Sequence, residues 1–517
     1  MGALHLASAT GTMDLHWPYP QQLTHQEELL YENGVTSLTI NCPVRDSTTV
    51  PAQWVRLAYH DMSTHNIEDG TGGLDGSIRF ELDRGENIGS GMEATLRDVT
   101  GFQAPFTSLA DLIAMMAVTA YPSCGGPFIP YRAGRVDATT AGVPGVPEPQ
   151  QDIESHIESF RLQGFSQPEM IGLVACGHAL GGVSKQDFPT MGLENDFELF
   201  HGGLQFDHAV VTGWLDGSTP NPLVTTPNET MRADLRIFGS DGNATMQSLA
   251  AGEAFNKTCS SLIERMVETV PRGVTLTDVI LPIENKVGNA RLFVSKDKDS
   301  LVFTTDLRLL NPTNNPSRTV TLLWADRQGS FCPSSGCSAE AVSSKVLPGD
   351  DLLGFVVYGG SAIRYNFEAL VDPESSISKF WFEIDEHDGS EKIVLNNGGD
   401  GYAIDQDTIL FDPIRSSIGP FFPNMEKHIT VAIKGGASRV YSRLFKIPRG
   451  LSTPPPMIPE YTTQDLPLDT EMPPRVGYTF YTASISFFES WFEFHAEIDG
   501  EDVSQGWISE KEIRTFL

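Results

Sequence analysis

The fold of the first half of the chain is decided by the stretch Trp54-Val-Arg-Leu-Ala-Tyr-His-Asp61. In a helix, Arg56 and His60 stand four residues apart and share one face. A neutral imidazole beside a permanent cation suits peroxide chemistry. The base can move a proton from one peroxide oxygen to the other, and the guanidinium stabilises the developing charge. Arg/His pairs at this spacing are also common on protein surfaces, so the segment alone leaves both interpretations open.

A second segment, Met170-Ile-Gly-Leu-Val-Ala-Cys-Gly-His-Ala-Leu-Gly-Gly182, places His178 at the end of an apolar run. Most buried histidines are core residues whose hydrogen bonds are satisfied. The alternative is an iron ligand, because imidazole binds haem iron through one nitrogen while a carboxylate orients the other. Neither segment decides the question separately.

Length, composition and charge limit the class of protein. A chain of 517 residues is too long for one ordinary hydrophobic core, so several domains are expected. No stretch approaches the roughly 18 uninterrupted apolar residues of a membrane span. The net charge of −32 would repel a phosphate backbone, which argues against nucleic acid as a partner.

The pattern of apolar residues changes along the chain. Up to about residue 270 they recur at helical spacing, as in the run from Leu109 to Val118, whereas later runs such as Thr319-Val-Thr-Leu-Leu-Trp324 are short and β-branched. A proline-rich stretch then interrupts regular structure. The sequence therefore predicts a multidomain protein: a mainly α domain (1–270), an all-β antiparallel sandwich-like domain (271–450), and a proline-rich linker with a short C-terminal extension (451–517).

Cysteines and glycosylation sequons together favour a secreted glycoprotein. The six cysteines form an even set without a C-x-x-C pair, which favours disulfides over zinc or redox sites, although their pairing stays open. Cys332 and Cys337 would close a very short loop if bonded to each other. Three sequons begin at Asn228, Asn243 and Asn256.

Several motifs of the first domain occur in the order known from one family. They are Arg-Leu-Ala-Tyr-His-Asp, Gly-Gly-Leu-Asp-Gly-Ser, Glu-Asn-Ile-Gly, Ser-Leu-Ala-Asp-Leu-Ile-Ala, Gly-Arg-Val-Asp-Ala-Thr, Val-Pro-Glu-Pro and Gly-His-Ala-Leu-Gly-Gly. From Gln53 to Met266 the chain resembles the plant, fungal and bacterial haem peroxidase superfamily, and is most similar to its secreted fungal branch. The resemblance implies haem b as cofactor and hydrogen peroxide as substrate.

The resemblance also implies roles for individual residues. His60 would be the distal acid and base, Arg56 the distal cation, His178 the proximal iron ligand and Asp234 the carboxylate partner of His178. The physical reason for such a carboxylate is that it makes the ligand more imidazolate-like. A solvated surface acid is the alternative interpretation of Asp234.

Further residues would support His60 and shape its surroundings. Asn87 would hydrogen-bond the non-reacting nitrogen of His60 and fix its tautomer, and Glu81 would hold Asn87 in turn. Tyr59 stands where the secreted enzymes usually carry Phe, and would be either a radical site or a space-filling side chain. Pro147 is a candidate wall of the access channel.

A calcium site is implied by four residues that match the distal pattern of the family: Asp61, Gly73, Asp75 and Ser77. Carboxylate, main-chain and hydroxyl oxygens together suit a hard cation. An Asp/Gly-rich turn without a metal is the alternative.

Departures from the family pattern narrow the reductant. The acids of manganese-oxidising relatives are replaced by Thr49 and Gln53, and the surface Trp of lignin-oxidising relatives is replaced by Leu173. The Arg that relatives use for ascorbate corresponds to Asp187. One-electron oxidation of small phenolic or aromatic reductants at the haem edge fits best.

Two other functions stay open at this point. One is a dedicated biosynthetic haem enzyme that couples or oxygenates a single metabolite. The other is a non-catalytic wall-binding protein with a vestigial peroxidase fold. The β domain is expected to be a structural partner of the first domain, with contact to cell-wall or glycan material as the alternative.

Overall fold

A computed structural model describes residues 12–32, 34–328, 337–347, 361–419, 426–448, 457–486 and 489–514. The prediction of a mainly α-helical first half is confirmed. Among the described helices, none combines the length and apolarity required to cross a membrane. The helices of this half are α1 Gln21–Tyr31, α2 Val50–Met62, α3 Ser90–Thr100, α4 Leu109–Ser123, α5 Ile153–Leu162, α6 Gln167–Gly177, α7 Ala209–Asp216, α8 Pro222–Thr225, α9 Ala233–Gly239, α10 Ala244–Ser248 and α11 Gly252–Glu268.

Helix α4 forms the centre of the helical domain. It begins at Ser108, whose side chain accepts a hydrogen bond from the main-chain N–H of Asp111, and every residue from Leu109 to Pro122 is buried. A helix that is apolar on all faces must be surrounded by other elements, and α2 and α11 pack on it. Two disulfides, Cys42–Cys124 and Cys176–Cys259, tie its end and α6 to neighbouring segments.

The second half is all β, and every strand pairing described is antiparallel, as predicted. Short two-strand pairs also occur in the helical half, β1 Val44–Arg45 with β2 Thr48–Thr49 and β3 Gly182–Ser184 with β4 Phe197–Leu199. The strands of the second half are β5 Asn285–Val294, β6 Leu301–Leu310, β7 Thr319–Ala325, β8 Ser338–Glu340, β9 Ser343–Leu347, β10 Ala362–Val371, β11 Lys379–Asp385, β12 Ile393–Leu395, β13 Tyr402–Ala403, β14 Ile409–Phe411, β15 Ser417–Ile418, β16 Glu426–Lys434, β17 Arg439–Lys446, β18 Glu460–Asp465, β19 Tyr478–Ser486, β20 Glu489–Ile498 and β21 Glu501–Ser509.

These strands form two successive pairs of sheets. In the first pair, the sheet β5-β6-β10-β9 shares a core with the sheet β12-β11-β7-β8, to which β13 adds. In the second pair, β14-β16-β15 with β19 shares a core with β18-β17-β20-β21. Strand β11 shows the underlying pattern, because Phe380, Phe382 and Ile384 are buried while the residues between them are partly exposed.

The C-terminal region differs from the expected linker and short extension. Residues 460–509 supply β18 to β21, four strands of the second sandwich, and are followed by helix α12 Lys511–Arg514. Most of the proline-rich stretch lies outside the described residues, as does Cys332. Cys337 is disulfide-bonded. The β region therefore continues well beyond residue 450.

The segment before α1 packs against the β region. The main-chain N–H of Trp17 donates to Asn397 Oδ1 (2.8 Å), and its indole N–H donates to the carbonyl of Ala403 (2.7 Å). The Trp17 ring makes edge contacts with Phe380 and Tyr402. The N-terminal segment is thus part of the first sandwich in space, which its position in the chain did not indicate.

A buried group of ion pairs joins the helical half to the β region. Glu27 on α1 and Glu32, which directly follows α1, face three cations of the β region. These cations are Lys286 on β5, Arg308 on β6 and Arg364 on β10. The Glu27 carboxylate lies 2.8 Å from Lys286 Nζ and 2.6 Å from an Arg308 nitrogen, and the side chains of Glu27 and Arg308 are fully buried. Buried charges need such partners, so the two halves depend on each other at this contact.

Candidate active site

Helix α2 carries Arg56 and His60. Its first turn is fixed by Thr49, whose hydroxyl accepts the Ala52 N–H (3.2 Å), and by Pro51, which needs no hydrogen-bond partner there. The apolar face of α2 packs on α4, so Arg56 and His60 are both directed to the same cavity. The predicted shared face is therefore present.

His60 is held by a neutral amide. His60 Nδ1 lies 2.7 Å from Asn87 Oδ1, and Asn87 Nδ2 donates to the main-chain carbonyl of Glu81 (3.0 Å). Because Asn87 Nδ2 already has an acceptor, its oxygen faces the ring, which places the imidazole proton on Nδ1 and leaves Nε2 unprotonated. Burial and the charge of Arg56 lower the pKa of His60 to about 3. His60 is thus a neutral base near pH 7.

Glu81 holds Asn87 as expected, and the contact is made by its main-chain carbonyl, not by its carboxylate. The buried carboxylate accepts the Gly142 N–H (2.7 Å) and pairs with Arg84 (3.0 Å). The side chain therefore fastens the loop around Gly142 instead of touching the amide. The carbonyl contact still orients Asn87.

The second histidine, His178, also lines this cavity. Helix α6 begins with a capping box between Ser166 and Glu169 and ends at Gly177, so His178 follows directly at its C-terminus. His178 Nδ1 lies 2.7 Å from Asp234 Oδ2, and Phe200 stacks on the imidazole with ring centroids 3.9 Å apart. The predicted contact between His178 and Asp234 is present in the structure.

Asn221 completes the proximal group and was missed from the sequence. Its Nδ2 donates to Asp234 Oδ2 (2.6 Å), the oxygen that also faces His178. Its own oxygen caps α8 by accepting the Leu223 N–H (2.9 Å). The only local sign is the Asn221-Pro222 dipeptide, which is typical of a helix start but says nothing of a contact with Asp234.

The cavity between the two histidines has a volume of about 1020 Å³. This is at the upper end of the usual range for small-molecule sites, roughly 300 to 1,000 Å³. The lining thus combines a neutral imidazole beside a cation with a second, carboxylate-bound imidazole, and these groups suit a haem iron and peroxide. The residues present thus fit a haem. The apolar part of the lining includes Val55, Phe160, Leu173, Leu180, Phe200 and Met266.

Tyr59 and Pro147 also line this cavity. The Tyr59 hydroxyl donates to Gln163 Oε1 (3.3 Å), its ring stacks on Phe160, and burial raises the pKa of the phenol. Gln163 in turn donates to the carbonyl of Gly145 (3.0 Å). Tyr59 therefore packs on Phe160 and connects through Gln163 to the loop at Gly145, and Pro147 is a further lining residue of the cavity.

The residues of the expected calcium site lie in the last turn of α2, which holds Asp61, and in the segment that follows it, which holds Gly73, Asp75 and Ser77. The Asp61 carboxylate accepts the N–H groups of Gly76 (2.8 Å) and Ile78 (2.9 Å), and Asp75 accepts the Ser77 N–H (3.1 Å). Burial, with the nearby Asp75 carboxylate, raises the pKa of Asp61 well above its usual value. Within the described residues no group of three or more His, Cys, Asp or Glu side chains is placed to hold a metal.

The sequence of the helical half matches that of a known protein family. Residues 38–226 match the family described as Peroxidase. The helical domain belongs to the peroxidase family. Over 232 residues this peroxidase domain is 29% identical to L-ascorbate peroxidase 5, peroxisomal, of Arabidopsis thaliana, a match that covers 43% of the chain and 79% of that relative. Over 133 residues it is 35% identical to the mitochondrial cytochrome c peroxidase of Aspergillus fumigatus, which covers 25% of the chain and 36% of that relative.

One relative matches more of the chain than the peroxidase domain alone. The chain is 36% identical over 401 residues to a WSC domain-containing protein of Arthroderma benhamiae, and the match covers 74% of the chain and 53% of that protein. The chain thus spans about half the length of this relative. Because 401 residues exceed the length of the peroxidase domain, the similarity extends into the β region.

Proposed function

We propose that the protein is a secreted haem peroxidase that uses hydrogen peroxide to oxidise small phenolic or aromatic reductants in one-electron steps. The observation that carries this proposal is the pair of histidines, on different helical segments, that line one cavity. His60 is bound to an amide and carries Arg56 beside it, while His178 is bound to a carboxylate. A bound haem would supply the iron to which peroxide binds and through which electrons pass from the reductant.

The distal residues handle protons and charge. His60 Nε2 accepts a proton from one peroxide oxygen and returns it to the other, which leaves as water. Arg56 stays charged, although burial lowers its pKa to about 10, and it stabilises the negative charge that develops as the O–O bond breaks. Its guanidinium is held by the carbonyl of Ile88 (2.8 Å). In the complete reaction, one peroxide and two phenols give two waters and two phenoxyl radicals.

The proximal residues orient the iron ligand. Asp234 accepts the His178 Nδ1 proton, so Nε2 is the nitrogen left for the metal. Asn221 and the stacked Phe200 restrict the carboxylate and the ring. The arrangement places a basic ligand at a fixed position in the cavity wall.

The experiment that tests the proposal is peroxide-dependent oxidation of 4-ethylphenol by the haem-loaded protein. We expect turnover with two phenols consumed per peroxide, and a large loss in Arg56→Leu. Arg97→Leu is the matched control, because Arg97 forms a surface pair with Glu93 on α3, away from the cavity. Equal rates in Arg56→Leu and the wild type, or no turnover by the loaded wild type, would contradict the function.

We also propose one calcium ion bound by Asp61, the carbonyl of Gly73, Asp75 and Ser77. The support is that two largely buried carboxylates, those of Asp61 and Asp75, lie at this site, and that neither has an ion-pair partner among the described residues. A hard cation would supply the missing positive charge. Chelation should lower the melting temperature and added Ca²⁺ should restore it, whereas a melting temperature insensitive to both would contradict the site.

Secretion is proposed from the disulfides and sequons. Two disulfides close loops within the peroxidase domain, which suits an oxidising compartment. Asn256 is exposed, while the side chains of Asn228 and Asn243 take part in hydrogen bonds. We therefore expect glycan first at Asn256, to be checked by mass spectrometry of the native protein. The β region is proposed as a structural partner of the peroxidase domain, supported by the ion pairs between Glu27 and Arg308.

A further inference from the structure

The charged side chains that line the cavity are unequal in sign. Among the described residues, and apart from Asp234, which is bound to His178, five carboxylates line it, and the cations in this lining are Arg56 and Lys185. Within a concave site such an excess focuses a negative potential on anything that enters. The carboxylates are those of Asp46, Glu86, Glu148, Asp187 and Asp196.

Asp187 is the carboxylate next to the proposed catalytic cation. A β-carbon built on Gly89 would lie 2.8 Å from Asp187 Oδ2 and 3.3 Å from an Arg56 guanidinium nitrogen. Glycine at this position, where φ is +110°, leaves the space in which these two charges approach each other. The charge of Asp187 acts to raise the pKa of Arg56, against the effect of burial. Asp187 therefore offsets the charge of Arg56, one of the two cations in the described lining.

Glu86 and Glu148 form a second acidic part of the wall, near Pro147. Glu86 is half-buried, and burial raises its pKa, with a further contribution from the charge of Glu148. Arg84 lies 3.7 Å from Glu86 but also pairs with Glu81 at 3.0 Å, so its charge is shared. Lys185, the other cation of the lining, is exposed and donates to the main-chain carbonyl of Glu194.

We propose that Asp187, with Glu86 and Glu148, makes this cavity selective for aromatic reductants that are cationic or neutral and excludes those that carry a carboxylate. The inference rests on the proposed function and adds the charge of its substrate. A carboxylate-bearing phenol meets like charge at the wall, while an ammonium-bearing phenol meets opposite charge. Asp187 is a specificity-determining residue in this account.

The test uses three phenols that share a ring and differ in charge: tyramine, 4-ethylphenol and 4-hydroxyphenylacetate. With the haem-loaded protein at low salt, we expect kcat/KM to be about tenfold higher for tyramine than for 4-hydroxyphenylacetate, with 4-ethylphenol between them. Added salt should shrink this ratio because it screens the charges. A ratio near one at low salt, or a preference for the anion, would overturn the proposal.

Variants then assign the effect to Asp187. Asp187→Asn should reduce the tyramine to 4-hydroxyphenylacetate ratio about threefold, and Asp187→Lys should reduce it further. Each ratio is taken within one variant, so a general loss of activity does not affect it. Glu253→Gln is the matched control, an exposed carboxylate on α11 outside the cavity lining, and should keep the wild-type ratio. Equal ratios in Asp187→Lys and the wild type would overturn the role of Asp187.

A binding measurement separates this inference from the proposed function. Dissociation constants of tyramine and 4-hydroxyphenylacetate, measured by calorimetry on the haem-loaded protein without peroxide, should show the same preference for the cation. If none of the phenols is oxidised, the proposed function fails, and the two dissociation constants still decide the charge preference. If the phenols are oxidised but both ligands bind equally, the inference fails alone.

Discussion

Two histidines line the cavity, and their Nδ1 atoms face chemically different partners. On the distal wall His60 Nδ1 faces the neutral amide of Asn87, and burial with the charge of Arg56 keeps its pKa at about 3. On the proximal wall His178 Nδ1 faces the carboxylate of Asp234. An amide fixes a tautomer without adding charge, whereas a carboxylate increases the electron density of the ring. In the proposed function, the partner and not the imidazole would make one histidine a base and the other a metal ligand.

The largest expected effect comes from removing the base itself. His60→Leu should slow the reaction of the haem-loaded protein with hydrogen peroxide by about 10² to 10⁴-fold, the usual contribution of a positioned acid–base group. Stopped-flow absorbance with limiting peroxide measures the rate. His208→Leu is the control because the His208 side chain is 41% exposed and is not among the residues that line the cavity. A loss of less than about tenfold in His60→Leu would show that the distal wall does not act through this base.

Asn87→Asp tests the comparison directly by giving His60 the proximal kind of partner. The unprotonated ring is the active base, so activity is lost as pH falls through the pKa of His60. In the wild type this limb should lie near pH 3. A carboxylate beside the ring favours its charged form and should move the limb upward by about 1 to 3 pH units. An unmoved limb in the pH profile of the peroxide reaction would contradict the assigned role of Asn87.

Asp234→Asn gives His178 the distal kind of partner. We expect haem affinity to fall by about 10 to 100-fold, as is usual when the hydrogen-bond partner of a metal-binding histidine is lost. Transfer of haem to a competing apoprotein measures the affinity. Asp216→Asn provides the control, because this exposed carboxylate contacts only Ser218 in the hydrogen bonds described. Unchanged haem retention in Asp234→Asn would remove the distinction between the two walls.

The smallest effect is expected from Asn221, which acts on the proximal carboxylate and not on the ring. Asn221→Ala removes a hydrogen bond to a charged group and should lower the free energy of unfolding by about 1.5 kcal/mol. Urea denaturation of the haem-loaded protein measures the change, with the exposed Asn195→Ala as control. A stability equal to that of the wild type would mean that Asp234 is held without Asn221.

Residues of the site that follow from local pattern were predicted from the sequence. The four-residue spacing of Arg56 and His60 places them on one helix face, and the family resemblance indicated His178 and Asp234. The sequence could not show that Asn87 contacts the main-chain carbonyl of Glu81, because main-chain groups are the same at every residue. Asn221 lies in an irregular segment without periodicity, so its contact with Asp234 depends on tertiary packing.

The fold was predictable to a similar degree. The change from helical to β periodicity near residue 270 is present in the structure, and so is the antiparallel pairing. The proline-rich stretch indicates irregular structure and so did not predict the strands from residue 460 onward. Their signal is the alternation of buried and less buried side chains, as in Tyr478–Ser486. The packing of Trp17 against Phe380 joins residues 363 positions apart, and no local pattern contains that information.

We expect His178 to bind a haem iron in this cavity. Titration of the purified protein with haem, followed by absorption spectroscopy, checks this for the wild type, His178→Ala and the control His208→Ala. One equivalent of haem and the same ferric Soret band are expected in the wild type and the control, with a lost or shifted band in His178→Ala. No haem uptake by the wild type, or an identical spectrum in His178→Ala, would show that His178 does not bind a haem iron here.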